Sequence, residues 1–126
     1  MTTPTQGIVL FAHGSRDPLW RAPIEAVEDH IRAHHPGVAV RCAYLELTTP
    51  DLPQAVEDLV DQGATAVTIV PMFLGTGKHA REDLPMLVAE LRARHPRVQV
   101  HVQAAIGEDP RMTALMAHIA CTPPAQ

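Results

Sequence analysis

The fold class this sequence predicts is α/β, a single domain with an open, mainly parallel four-stranded sheet and helices on both faces. Three observations carry that reading. Short apolar runs alternate four times with longer stretches whose apolar residues recur at helical spacing, giving the order βαβαβαβα. The first and third runs, residues 8–12 and 67–70, are almost continuously apolar, as in strands covered on both faces. Both then open into polar, glycine-bearing loops that lead to helices, which places those loops at the carboxyl edge of the sheet. With right-handed crossovers, a flavodoxin-type winding of order 2-1-3-4 is expected.

Taken in order, residues 7–12 form the first strand. Asp17-Pro18 can start a helix, but Pro23 would break a hydrogen bond inside one, so the regular helix is expected from about residue 22. Ile24, Val27 and Ile31 supply its apolar stripe, and Pro36-Gly37 ends it. Residues 38–45 read as strand two. Thr48-Thr49-Pro50-Asp51 caps a second helix with Leu52, Val56, Leu59 and Val60 inward and Gly63 as its stop. Residues 65–73 are strand three. After a polar cluster, Leu84, Leu87, Val88 and Leu91 mark a third helix. Val98, Val100 and Val102 belong to strand four, and Glu108-Asp109-Pro110 opens a last helix with Met112, Leu115 and Ile119 inside. The tail TPPAQ is expected to fray.

The 126 residues suit one domain, with its core at about 7–120; 46% are hydrophobic and 19% charged. A net charge of -4 argues against a general nucleic-acid binder. The leading MTTPTQG lacks the basic-then-apolar form of a signal peptide, and no apolar run approaches the roughly 20 residues of a membrane helix. Cys42 and Cys121 lie far apart without metal-site spacing, as cytosolic thiols do, so the expected compartment is the cytoplasm.

An internal repeat supports two βαβ units of one design: Ile31-Arg32-Ala33-His34-His35-Pro36-Gly37-Val38-Ala39-Val40 matches Leu91-Arg92-Ala93-Arg94-His95-Pro96-Arg97-Val98-Gln99-Val100. The second unit carries a longer loop after its first strand, and extra length at the active edge belongs to function. A sheet this narrow fits a homodimer.

Gly75-Thr76-Gly77-Lys78 is not a phosphate loop, because Met72 and His79 stand where that motif needs Gly and Ser or Thr. Nor does His13-Gly14 make a histidine phosphatase, since Ala12 precedes it in place of arginine. Of the eight histidines, His34, His35 and His95 sit at helix ends beside prolines, and His30, His101 and His118 lie within elements. His13 and His79 differ: each follows a buried strand, so both land on one rim. Glu46 ends a parallel strand and joins them. Two imidazoles and a carboxylate suit Co²⁺, Fe²⁺, Ni²⁺ or Zn²⁺ in preference to Mg²⁺ or Ca²⁺. Arg16, Lys78 and Arg81 flank the histidines and could hold carboxylates, or simply be surface charge.

The patterns His13-Gly14-Ser15-Arg16-Asp17-Pro18, Tyr44-Leu45-Glu46 and Pro71-Met72-Phe73-Leu74-Gly75-Thr76-Gly77-Lys78-His79, followed by Asp83-Leu84-Pro85, resemble the short CbiX/SirB-type sirohydrochlorin chelatases of the class II chelatase family. The resemblance spans roughly residues 7–120. It implies a lyase that inserts a divalent metal into sirohydrochlorin, for cobalamin or sirohaem biosynthesis. Co²⁺ is the expected metal and substrate, with Fe²⁺ or Ni²⁺ as alternatives. His13 and His79 become the pair that binds metal and abstracts protons, with Glu46 assisting. Ser15, Arg16, Lys78 and Arg81 become the groups that meet the substrate's carboxylates, and Leu10, Phe73 and Leu74 an apolar floor. The resemblance further implies a homodimer, with no organic cofactor and no iron–sulfur cluster. Nickel insertion, or a non-catalytic metal or tetrapyrrole carrier, is the competing reading.

Overall fold

The computed structural model describes residues 6–122; the expectations for the leading residues 1–5 and for the tail from 123 onward lie outside them. The elements are β1 (Gln6–Ala12), α1 (Ala22–His34), β2 (Ala39–Tyr44), α2 (Leu52–Asp61), β3 (Ala66–Pro71), α3 (Lys78–Arg94), β4 (Gln99–Val102), a 3-10 turn (Ile106–Glu108) and α4 (Pro110–Cys121). All strand pairs are parallel and the order is β2-β1-β3-β4, as the sequence predicts.

Period-two alternation sends Val9 and Phe11 of β1 to one face, where Leu52, Val56 and Leu59 of α2 and Leu84, Val88 and Leu91 of α3 complete the larger core cluster. Leu10 and Ala12 point the other way, into a smaller cluster with Val40, Cys42, Tyr44 and Val70 under α1. Each large apolar side chain buried in this way contributes about 1.5–3 kcal/mol. In α2, Asp51 accepts from the Gln54 N–H as the N-cap, and Leu52, Ala55, Val56 and Leu59 recur at i, i+3, i+4 and i+7.

Three expectations need correction. The polar cluster of residues 78–83 is the first part of α3 and not its approach, and Pro85 lies within that helix. In α1, which does start at Ala22, Ile24 and Ile31 pack on the sheet, but Val27 is 37% exposed. In α4 nothing is buried: Leu115 is 49% exposed and Ile119 61%. The last helix follows the edge strand and packs mainly on the 3-10 turn, so its apolar stripe is left largely uncovered among the described residues. Its start is fixed by Asp109, which accepts from the Arg111 N–H and pairs with the Arg111 guanidinium at 2.7 and 3.0 Å. Those bonds hold the Asp109 carboxyl down at about 2.

The repeat has a structural counterpart. At each edge of the sheet a helix arginine donates to an edge-strand carbonyl eight residues on: Arg32 to Val40 at 3.2 Å, and Arg92 to Val100 at 2.7 Å. Glu28, paired with Arg32 at 3.1 Å, accepts from the Cys42 N–H, so one ion pair on α1 satisfies both kinds of backbone group along β2. Among the described residues no helix is long and apolar enough to cross a membrane.

Cys42 is buried and free, whereas Cys121 is free and exposed. Burial, reinforced by the Glu28 charge, pushes the Cys42 thiol up to about 12. A thiol-reactive chromophore at pH 8 is therefore expected to titrate one cysteine in the folded protein and two in denaturant. Because the unfolded thiol loses its proton near its ordinary value of 9.0, Cys42 should lower stability progressively as pH rises from there toward 12; Cys42→Ala should flatten that slope in pH-dependent denaturation.

Candidate active site at the carboxyl rim

The rim is built by backbone bonding between the chains leaving β1 and β2. The Leu45 N–H donates to the Ala12 carbonyl at 2.9 Å, and the Glu46 N–H donates to that of His13 at 3.0 Å, prolonging the parallel ladder beyond both strands. The approach is so close that a Cβ on Gly14 would lie 1.8 Å from the Glu46 carbonyl oxygen, and Gly14 holds φ +103, a left-handed conformation. The Ser15 N–H donates to the Thr48 hydroxyl oxygen at 3.2 Å, and that hydroxyl donates to the Ser15 carbonyl. Leu47, between them, has φ 66, rare for a residue with a side chain.

His13 emerges from this loop exposed, with its ring stacked on Phe73 at a centroid distance of 4.3 Å and 29° between planes. Phe73 is 3% exposed and packs in turn on Phe11 at 6.1 Å. His79 is the second residue of α3, whose N-cap, Gly77, offers no side-chain acceptor to the first N–H groups. The positive end of the helix dipole therefore faces the same opening.

His13, Glu46, Lys78 and His79 line one cleft of about 490 Å³, together with Leu45 and Asp83. Among the described residues no three His, Cys, Asp or Glu side chains stand close enough to hold a metal ion together. The two imidazoles and Glu46 thus share a mouth without forming a closed cage, an arrangement that leaves coordination positions open. Asp83 escaped sequence reasoning as a cleft residue. The available signal was its spacing, four residues after His79 on the same helix face.

The remaining candidates fall elsewhere. Ser15 and Arg16 line a neighbouring cleft of about 520 Å³ that shares Leu45 and Glu46 with the first. Arg81 is not at the histidine cleft: it donates to the Thr76 carbonyl at 3.0 Å and lines a cleft of about 540 Å³ between α3 and β4, with Val88 and Arg92. That cleft is larger, but it holds neither His13 nor His79. The residues expected as an apolar floor do not line the histidine cleft. Leu10 is buried on the α1 side of the sheet, Leu74 is 72% exposed, and Phe73 supports His13 from below.

The family model described as CbiX matches residues 7–121. The chain belongs to the CbiX family. This CbiX chain is 32% identical over 87 residues to the sirohydrochlorin cobaltochelatase of Methanosarcina barkeri, covering 69% of this chain and 67% of that protein. It is 30% identical over 113 residues to the sirohydrochlorin ferrochelatase of Bacillus subtilis, covering 90% of this chain and 43% of that one. Among solved structures, a CbiX protein from Marinobacter aquaeolei VT8 matches with a TM-score of 0.79 at 32% identity, over 92% of this chain and 94% of the other. The sirohydrochlorin chelatase SirB from Bacillus subtilis subspecies spizizenii, in complex with cobalt, matches with a TM-score of 0.77 at 30% identity, over 90% and 49%. This CbiX chain therefore spans about half the length of the Bacillus proteins.

Gly14→Ala should cost more than ~1 kcal/mol, because it combines a disfavoured backbone conformation with a clash against the Glu46 carbonyl. Chemical denaturation should show a lower midpoint. A midpoint equal to that of the unsubstituted chain would mean the two rim loops are not held together as described.

Proposed function

We propose that this chain is a sirohydrochlorin metal chelatase that inserts Co²⁺ or Fe²⁺ into the macrocycle through His13 and His79. The observation that carries the reading is that these two imidazoles, each following a separate buried strand, open into one cleft with Glu46. The names of the relatives support cobalt and iron as the metals. They do not favour nickel insertion or a non-catalytic carrier.

The reaction exchanges one divalent ion for two pyrrole protons. A neutral imidazole serves either half of it, as an exchangeable ligand for the incoming ion or as the base that takes a proton. Two imidazole donors in an open cleft would hold the ion loosely enough to surrender it to the four nitrogens of the ring. Glu46 supplies a carboxylate that can steer the ion or relay a released proton outward, and Asp83 adds a second. The substrate's own carboxylates suit Lys78 and the uncapped start of α3, with Ser15 and Arg16 receiving others in the adjoining cleft. Arg81 has no part in this.

The functional unit is a homodimer in the cytoplasm. What supports a second copy is α4, a 12-residue helix with no buried side chain among the described residues; so short a helix is marginal without a packing partner.

Purified protein with sirohydrochlorin and Co²⁺ should produce the absorption spectrum of the metallated ring faster than the spontaneous reaction. His79→Ala and His13→Ala should each lower turnover by about 10²–10⁴-fold; undiminished turnover in both would refute the assignment. In light scattering the chain should run at twice its 13.7 kDa mass, and the double substitution L115E/I119E should shift it to the monomer.

A further inference from the structure

We infer that Phe73 is the positioning residue for His13, and that Gly107 holds Phe73 in place from behind. The inference rests on the reading of His13 as a metal- and proton-handling group. His13 sits on an exposed loop, and a side chain there loses rotamer freedom only where something restrains it. The restraint is the Phe73 ring, stacked on the imidazole at 4.3 Å. A stack engages the face of the imidazole and leaves both nitrogens on its edge free. A hydrogen bond would orient the ring as well, but would occupy one nitrogen. For a group that must pass between metal ligand and base, orientation through the face keeps both options open.

Phe73 can serve as a platform only if it is itself immobile. It is buried, packed on Phe11, and belongs to the main core cluster. Its backbone is clamped too: the Gly107 N–H donates to the Phe73 carbonyl at 2.9 Å. The 3-10 turn approaches so closely that a Cβ on Gly107 would lie 2.1 Å from the Leu74 carbonyl oxygen and 2.4 Å from the Leu74 Cα. These are backbone atoms, so any side chain at 107 must displace the segment that carries Phe73. The chain of contacts runs from Gly107 through the 73–74 backbone and the Phe73 ring to His13. It makes Gly107, which does not line the histidine cleft, part of the support for His13.

Two readouts decide this. In proton NMR, the carbon-bound ring protons of His13 should carry an aromatic ring-current shift from Phe73. Phe73→Leu should abolish it, and Gly107→Ala should reduce it, with both variants checked for folding by circular dichroism. In the metallation assay, F73L should lower kcat by about 10–100-fold, the scale of losses from a misplaced reacting group, while KM for sirohydrochlorin stays close to that of the unsubstituted protein. In a His13→Ala background F73L should then cost nothing further, because its effect passes through the imidazole. Should F73L fail to fold, Phe73→Met keeps the apolar volume without the aromatic face and takes its place. Unchanged His13 shifts in a folded F73L or F73M protein would overturn the inference, as would a full loss in the His13→Ala background. If the unsubstituted chain does not metallate sirohydrochlorin, the chelatase reading fails, and the NMR comparison still decides whether Phe73 orients His13.

Discussion

Everything functional in this molecule depends on where the central strand stops. β1 is bonded on both sides, and the bonding continues past its end: Met72 donates to Phe11 on one flank, and Leu45 and Glu46 donate to Ala12 and His13 on the other. The backbone of the first candidate is therefore tied to the neighbouring chain at Glu46, while its side chain stands on the loop that follows β1. Parallel pairing also brings β2 and β3 to the same rim, so Glu46 arrives beside His13 by register, and the path out of β3 leads through Phe73 to the start of α3 and His79. The sheet's hydrogen bonding thus fixes the backbone of His13 against that of Glu46, and the 72–77 connection carries the chain on to His79.

The parts of the fold that were legible in the sequence are those where apolar periodicity and burial coincide. The four strands and α2 fall into this class, since their inward residues have a sheet or a helix directly opposite. Periodicity reveals which side of a helix is apolar but is silent on whether anything covers it. That is why Leu115 and Ile119 read as core and yet lie open. How much of α3 precedes its apolar stripe was hidden for the converse reason. Its opening turns are polar because they border a cleft, and the proline within it points to a break that does not occur.

At the rim, strand-end reasoning brings the two histidines and Glu46 to one cleft because a parallel sheet leaves little choice about where strand ends go. Nearness along the chain is a weaker guide for Arg81, which lines a different cleft. Residues two apart on a helix point to different sides, so Arg81 turns from the cleft that His79 faces, whereas Asp83, four residues on, returns to it. The role of Phe73 was out of reach for a different reason. An apolar residue at a strand exit looks the same whether it floors a cavity or supports a ring, and only the positions of other side chains separate the two.

The paired arginines of α1 and α3 bear on the open borders of so small a sheet. An open sheet has two lateral borders, each a template on which another extended chain could settle. Here Val40 on one border and Val100 on the other already have their carbonyls occupied by a guanidinium from their own helix. Lateral polymerisation is discouraged at both ends by the same device, inherited with the repeat. An extended strand approaching either border would first have to displace that guanidinium.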